Sequence, residues 1–262
     1  MERRAADDRA DEPRLGTRVV VEAFGTFALT FVAAGGDVMG QLSGGEVTAM
    51  ARAIAPGLLV MGMVYALGDR SGAHFNPAVT TAFALRRLFP GRLVVPYVVA
   101  QLAGAVVAAI VLALLFGDAA SAGVTRPKLV TPSVAVVIEA ILTLFLVTVI
   151  LGTADRARIV GPNAAVAVGG TIALCGLIAL PIEGASMNPA RSTGPAVIAA
   201  ELSTLWVYWV GPLVGALAAT GLAWLVHGRA TTEDSKARDA AGGTDEARKP
   251  RDESRDQAAA TS

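Results

Sequence analysis

The chain has 262 residues, 53% of them hydrophobic and 17% charged, with 22 basic and 22 acidic side chains and a mean hydropathy of +0.55. Ten of the 44 charges lie in residues 1–18 and fifteen in residues 228–262, so the 209 residues between carry only 19. That is too few to give a soluble domain its water-facing surface. The zero net charge argues against nucleic acid as a partner, since a phosphate-binding surface needs an excess of Lys and Arg, and the single cysteine, Cys175, excludes an intrachain disulfide.

Residues 1–18 mix acidic and basic side chains and lack the basic-then-apolar layout of a cleaved signal peptide, so the first apolar run is expected to stay as a span. Six spans are expected: Val19–Val38, Ala53–Leu67, Leu93–Phe116, Ser133–Leu151, Asn163–Leu180 and Thr204–His227. A bilayer crossing needs about 20 residues. The second run is short by that measure, and Ala49–Arg52 before it could extend it. Lys and Arg are richer before the first span, in Gly68–Arg92 and in the tail, which predicts cytoplasmic termini. The chain thus divides into an N-terminal tail (1–18), a membrane domain (19–227) and a tail (228–262) expected to be disordered.

The two halves of the membrane domain repeat each other. Glu22-Ala23 with Thr26 matches Glu139-Ala140 with Thr143. Asn76-Pro77-Ala78 matches Asn188-Pro189-Ala190, and Tyr97 with Gly104-Ala105 matches Tyr208 with Gly215-Ala216. Three spans per half is an odd number, so the second half lies upside down relative to the first, and a site is expected at the midplane between them. In each tripeptide Asn reads as a helix N-cap and Pro as the first helical residue. The helices they open, Asn76–Leu88 and Asn188–Glu201, have 13 and 14 residues, about 20 Å each. Each is then expected to cross roughly two-thirds of a ~30 Å hydrocarbon core. Their facing N-termini, each with about half a positive charge, would repel a cation.

The stretches Ser71-Gly72-Ala73-His74-Phe75-Asn76-Pro77-Ala78-Val79-Thr80 and Gly184-Ala185-Ser186-Met187-Asn188-Pro189-Ala190-Arg191-Ser192 resemble the two signature loops of the major intrinsic proteins, the aquaporin superfamily. The resemblance covers roughly Val19 to Val226. It implies an all-α membrane fold of six transmembrane helices and two re-entrant half-helices, assembled as a homotetramer in the cell membrane with one pore per subunit. It also implies passive flow of water or small uncharged solutes with ions and protons excluded, opposed half-helix dipoles and an Arg being the known device of such pores.

By the same resemblance Arg191 supplies the positive wall of the outer constriction; a snorkelling surface Arg is the alternative. Glu22 and Glu139 brace the re-entrant loops, the alternative being a proton relay, and His74 braces a loop as well. The only other histidine is His227, so no metal cluster can be assembled, and no cofactor is expected. Cys175 is read as a packing residue, with a pore-facing thiol as the alternative. Ser192, Ala196 and Tyr208-Trp209 look like the water-channel branch. The loop around Pro181 and Gly184–Met187 looks like the nodulin-26-like proteins and their bacterial relatives. Counted from the tripeptides, the filter positions are Pro56, Gly176, Ala185 and Arg191. Water-selective members usually carry Phe and His at the first two, so a wider filter is expected here, open to glycerol, urea or undissociated metalloid acids; strict water selectivity is the alternative. A secondary transporter or a non-conducting scaffold would share the bundle, but nothing beyond the two glutamates suggests a coupling-ion site. An enzyme is not expected, because no nucleophile, paired-acid or metal constellation stands in the core.

Overall fold

In lipid every backbone polar group must be paired within its own segment, so runs of Ala, Val, Leu and Ile fold as helices. The computed structural model describes residues 13–154 and 163–228. Within them the chain forms eight α-helices: α1 Leu15–Leu42, α2 Ala49–Ser71, α3 Pro77–Leu85, α4 Val94–Phe116, α5 Pro132–Ala154, α6 Ala164–Ala179, α7 Pro189–Ile198 and α8 Val207–His227. The order long, long, short, long occurs twice. Most of the expected tail, 228–262, and residues 1–12 of the other lie outside the described residues. Five helices are long and apolar enough to cross a bilayer, and α6 is a shorter apolar helix of 16 residues, reaching about 24 Å.

Helix ends follow local chemistry. The second span is longer than its apolar run because the Thr48 side chain caps its start, accepting from the Ala51 N–H, and Gly72 ends it at φ +90°. The half-helices are shorter than expected, nine and ten residues, about 14 and 15 Å. Each is about half as long as a ~30 Å core is thick, so the two placed N-terminus to N-terminus make one broken span. Both are cut short by the same C-terminal motif. In α3 the Leu88 N–H turns back to the Phe83 carbonyl (2.9 Å) and the Arg87 N–H to Ala84 (3.0 Å), with Arg87 at φ +63°. In α7 the Glu201 N–H turns back to Ala196 (2.8 Å) and the Ala200 N–H to Val197 (3.2 Å), with Ala200 at φ +56°.

Packing repeats the duplication. α1 packs on α4 as α5 packs on α8, and α2 meets α6 between the halves. A Cβ on Gly104 would stand 2.0 Å from the Ala23 carbonyl oxygen, and one on Gly215 would stand 2.2 Å from that of Ala140. Both crossings therefore need glycine, in keeping with packing that depends on close backbone approach where no hydrophobic force joins helices. The outward faces carry apolar side chains, including Val20, Val95, Leu114, Ile178 and Leu225, as a lipid-facing surface requires.

Candidate functional site

Two loops enter the bundle from opposite ends, one before α3 and one before α7, and their backbones match residue for residue. Gly72, Ala73 and Phe75 have φ of +90°, +49° and +50°; Gly184, Ala185 and Met187 have +102°, +46° and +52°. A non-glycine residue in the left-handed region is costly and persists only where its surroundings hold it. Here a buried carboxylate does so in each half. Glu22 accepts from the His74 N–H (3.0 Å) and the Phe75 N–H (2.8 Å), and also from the Ser71 hydroxyl (2.7 Å) and the Gln101 amide (2.7 Å). Glu139 accepts from the Ser186 N–H (2.6 Å) and the Met187 N–H (2.7 Å). His74 bonds the Thr80 hydroxyl through Nδ1 (3.1 Å) and stacks on Phe83 with ring centroids 4.6 Å apart.

The two Asn-Pro-Ala segments meet. Asn76 donates through Nδ2 to the Met187 carbonyl (2.7 Å), and Asn188 donates to the Phe75 carbonyl (2.8 Å). Each side-chain oxygen caps its own half-helix: Asn76 accepts from the Ala78 N–H (2.9 Å), Asn188 from the N–H groups of Ala190 (3.0 Å) and Arg191 (3.2 Å). Pro77 and Pro189 occupy the first helical positions, where a missing N–H costs nothing. Because a primary amide carries two N–H groups, each Asn keeps one for a passing acceptor. The two positive helix ends face each other across this point.

Asn76 and Asn188 line one narrow cavity together with Pro56, Gly176, Ala185 and Arg191, so all four expected filter positions share it. Leu29, Ala33, Leu146, Ile172 and Leu180 supply apolar lining to the same cavity. The volume is about 50 Å³, room for a short file of water at ~10–15 Å³ each. Cys175 is buried beside Leu142, Leu146, Ala179 and Met187.

Arg191 is buried near one end of this cavity. It donates to the Thr125 hydroxyl and lies 3.6 Å from the Asp37 carboxylate. Arg191 is not the only cation at this cavity among the described residues. Arg52, read from sequence as a connection charge, also lines the cavity, and its guanidinium bonds Asp37 at 3.0 Å. The bareness of Gly176 has a packing cause as well, since a Cβ there would lie 2.8 Å from the Ala53 carbonyl oxygen of α2.

Sequence reasoning missed Arg52, Asp37 and Glu183. The signal for Arg52 was its place four residues before Pro56, on the same helix face. Glu183 was findable from the repeat, because it stands 112 residues after Ser71. Like Ser71 it accepts from the N–H two residues on, at Ala185 (2.9 Å), and its carbonyl takes the hydroxyl of Tyr208 (2.5 Å) as that of Ser71 takes Tyr97 (2.8 Å).

A family model described as "Major intrinsic protein" matches residues 10–224. Aquaporin NIP1-1 of Oryza sativa subsp. japonica is 48% identical over 201 residues, covering 77% of this chain and 71% of that protein. Nodulin-26 of Glycine max is 44% identical over 211 residues, covering 80% and 76%. The X-ray structure of the aquaglyceroporin from Plasmodium falciparum superposes with a TM-score of 0.72 at 22% identity, over 82% of this chain and 97% of that one, a likeness of fold. With paired loops, facing Asn-Pro-Ala segments and these relatives in agreement, the chain belongs to the major intrinsic protein family of multi-pass membrane channels.

Proposed function

We propose that the protein is a passive pore for water and small uncharged solutes such as glycerol, urea and undissociated metalloid acids, closed to ions and protons. The observation that carries this reading is the cavity that Asn76, Asn188 and Arg191 line together with apolar side chains. A neutral hydroxylated solute replaces some of its lost water contacts at the two free amide N–H groups. The apolar lining keeps it from binding tightly enough to stay. An ion faces a desolvation cost of tens of kcal/mol in the Born limit, which two amides do not offset. In this reading Glu22, Glu139 and His74 brace the loops, and Pro56, Gly176, Ala185 and Arg191 belong to the filter. The protein acts without catalysis as a homotetramer in the cell membrane, with both termini cytoplasmic and the Arg191 end outside.

Strict water selectivity is the second reading. It is favoured by the Arg52 side chain lining the cavity beside Pro56. Stopped-flow light scattering of proteoliposomes in sorbitol, glycerol, urea and boric acid separates the two. The first reading expects water efflux in every case, followed by re-swelling in glycerol, urea or boric acid. Water efflux with no re-swelling in any of them establishes the second, and uptake that saturates and needs an ion gradient contradicts both.

A further inference from the structure

We propose that Arg52 is a second filter arginine and that the narrowest part of the mouth lies between the Arg52 and Arg191 guanidiniums, bridged by Asp37. The inference deepens the channel reading and rests on it. Three independent features place Arg52 there. Its side chain borders both the cavity that holds Arg191, Pro56 and Gly176 and a wider vestibule beyond it, of about 370 Å³, so it stands at the boundary between them. Asp37 is nearly buried and contacts both guanidiniums, 3.0 Å from Arg52 and 3.6 Å from Arg191. The α1 surface beneath Arg52 is also bare: a Cβ on Gly40 would sit 2.9 Å from its Cδ, Nε and Cζ, and one on Gly36 would sit 3.6 Å from its Cγ. The stem therefore lies in a groove that two glycines one helical turn apart leave open.

The chemistry of this mouth differs from that of one arginine opposite small residues. Two guanidiniums and one carboxylate sum to a single positive charge, so cations are still rejected. The number of hydrogen-bond donors, however, rises. Each guanidinium has five N–H groups; Arg52 commits one to Asp37 and buries its Nε–H against α1, which leaves terminal N–H groups for a passing solute. The vestibule beyond adds Lys128 and an Arg126 paired with Glu201 at 3.1 Å. The structure thus assigns the filter to neutral solutes that carry oxygen acceptors and are slender enough to pass between two guanidinium groups. The small residues at Pro56, Gly176 and Ala185 do not by themselves set the width.

The test is the ratio of solute to water permeability in proteoliposomes, measured with glycerol and the four-carbon polyol erythritol. In Arg52→Ala the erythritol-to-water permeability ratio should rise at least severalfold. Gly40→Ala keeps the charge but pushes the guanidinium off α1 toward the lumen, and should lower the glycerol-to-water ratio; it also serves if Arg52→Ala does not fold. In Asp37→Asn the guanidinium loses its tether and the cut-off should blur, with erythritol entry rising. Wild-type water flux with unchanged ratios in all folded variants overturns the role of Arg52 and leaves the channel reading standing. A wild type with no flux for water or any solute overturns both.

Discussion

The two re-entrant loops have one backbone and two chemistries. In the first, Glu22 is surrounded by donors: two backbone N–H groups, the Ser71 hydroxyl and the Gln101 amide. In the second, Glu139 holds the matching N–H groups of Ser186 and Met187, but Glu183 replaces Ser71 and Pro212 stands at the place of Gln101. Val79 of α3, buried in an apolar cluster, corresponds to Arg191. Backbone geometry that both loops must adopt has stayed symmetric, because the cavity needs both half-helix ends at one point. Side chains differ between the two loops. On the proposed function charge selection belongs to the Arg191 end, while the first loop is held by hydrogen bonds and by the aromatic group of His74, Phe83, Phe89 and Tyr97.

The largest effects should come from the two bracing carboxylates, and they should be unequal. Glu22→Ala orphans two buried backbone N–H groups and two side-chain donors, each unmet group costing about 1–3 kcal/mol. No folded protein is expected in detergent by fluorescence-detected size exclusion. Glu139→Ala orphans two N–H groups and takes away the side-chain partner of Glu183, and should leave a folded fraction of lowered melting temperature. Equal loss in the two variants would break the claimed asymmetry.

The helix crossings should instead behave alike. Gly104→Ala and Gly215→Ala each force a methyl into a backbone carbonyl, and both should destabilise by about 1–3 kcal/mol. Gly62→Ala, which meets nothing within 4 Å, should be neutral or gain up to about 1 kcal/mol in helix propensity. Thermal unfolding in one detergent compares all three. A large difference between the first two would show that the halves pack differently.

The smallest effect should come from Glu183. A serine hydroxyl donates to a neighbouring carboxylate at any pH, whereas a carboxyl donates only while it carries a proton. Glu183→Ser copies the first loop into the second and should change stability by less than about 1 kcal/mol, with water flux retained. Glu183→Leu removes the acceptor of the Ala185 N–H and should cost about 1–3 kcal/mol. A severe loss in Glu183→Ser would mean that the second carboxyl has a role the first loop lacks.

Much of this was legible in the sequence because the duplication doubles every signal. Glu22 with Glu139 and Asn76 with Asn188 stand at matching places, so the inverted pairing and the meeting of the two tripeptides followed from counting spans. Helix lengths were less legible: Arg87 and Ala200 adopt the left-handed region without being glycine, so nothing in their identity announces the stop. The mouth was the least legible part. Arg52 and Asp37 come from opposite sides of a connection and have no counterpart in the second half, so the repeat is silent about them. Only packing brings them to Arg191.

On the proposed function the opposed half-helix ends and the Arg191 end pass neutral molecules and stop ions. The most direct measurement pairs stopped-flow water permeability with planar-bilayer current for the same reconstituted protein at matched density. The account predicts protein-dependent water flux with no protein-dependent current in KCl, at neutral and at acidic pH. A current that scales with the amount of protein and reverses at the potential of K⁺, Cl⁻ or H⁺ would contradict it.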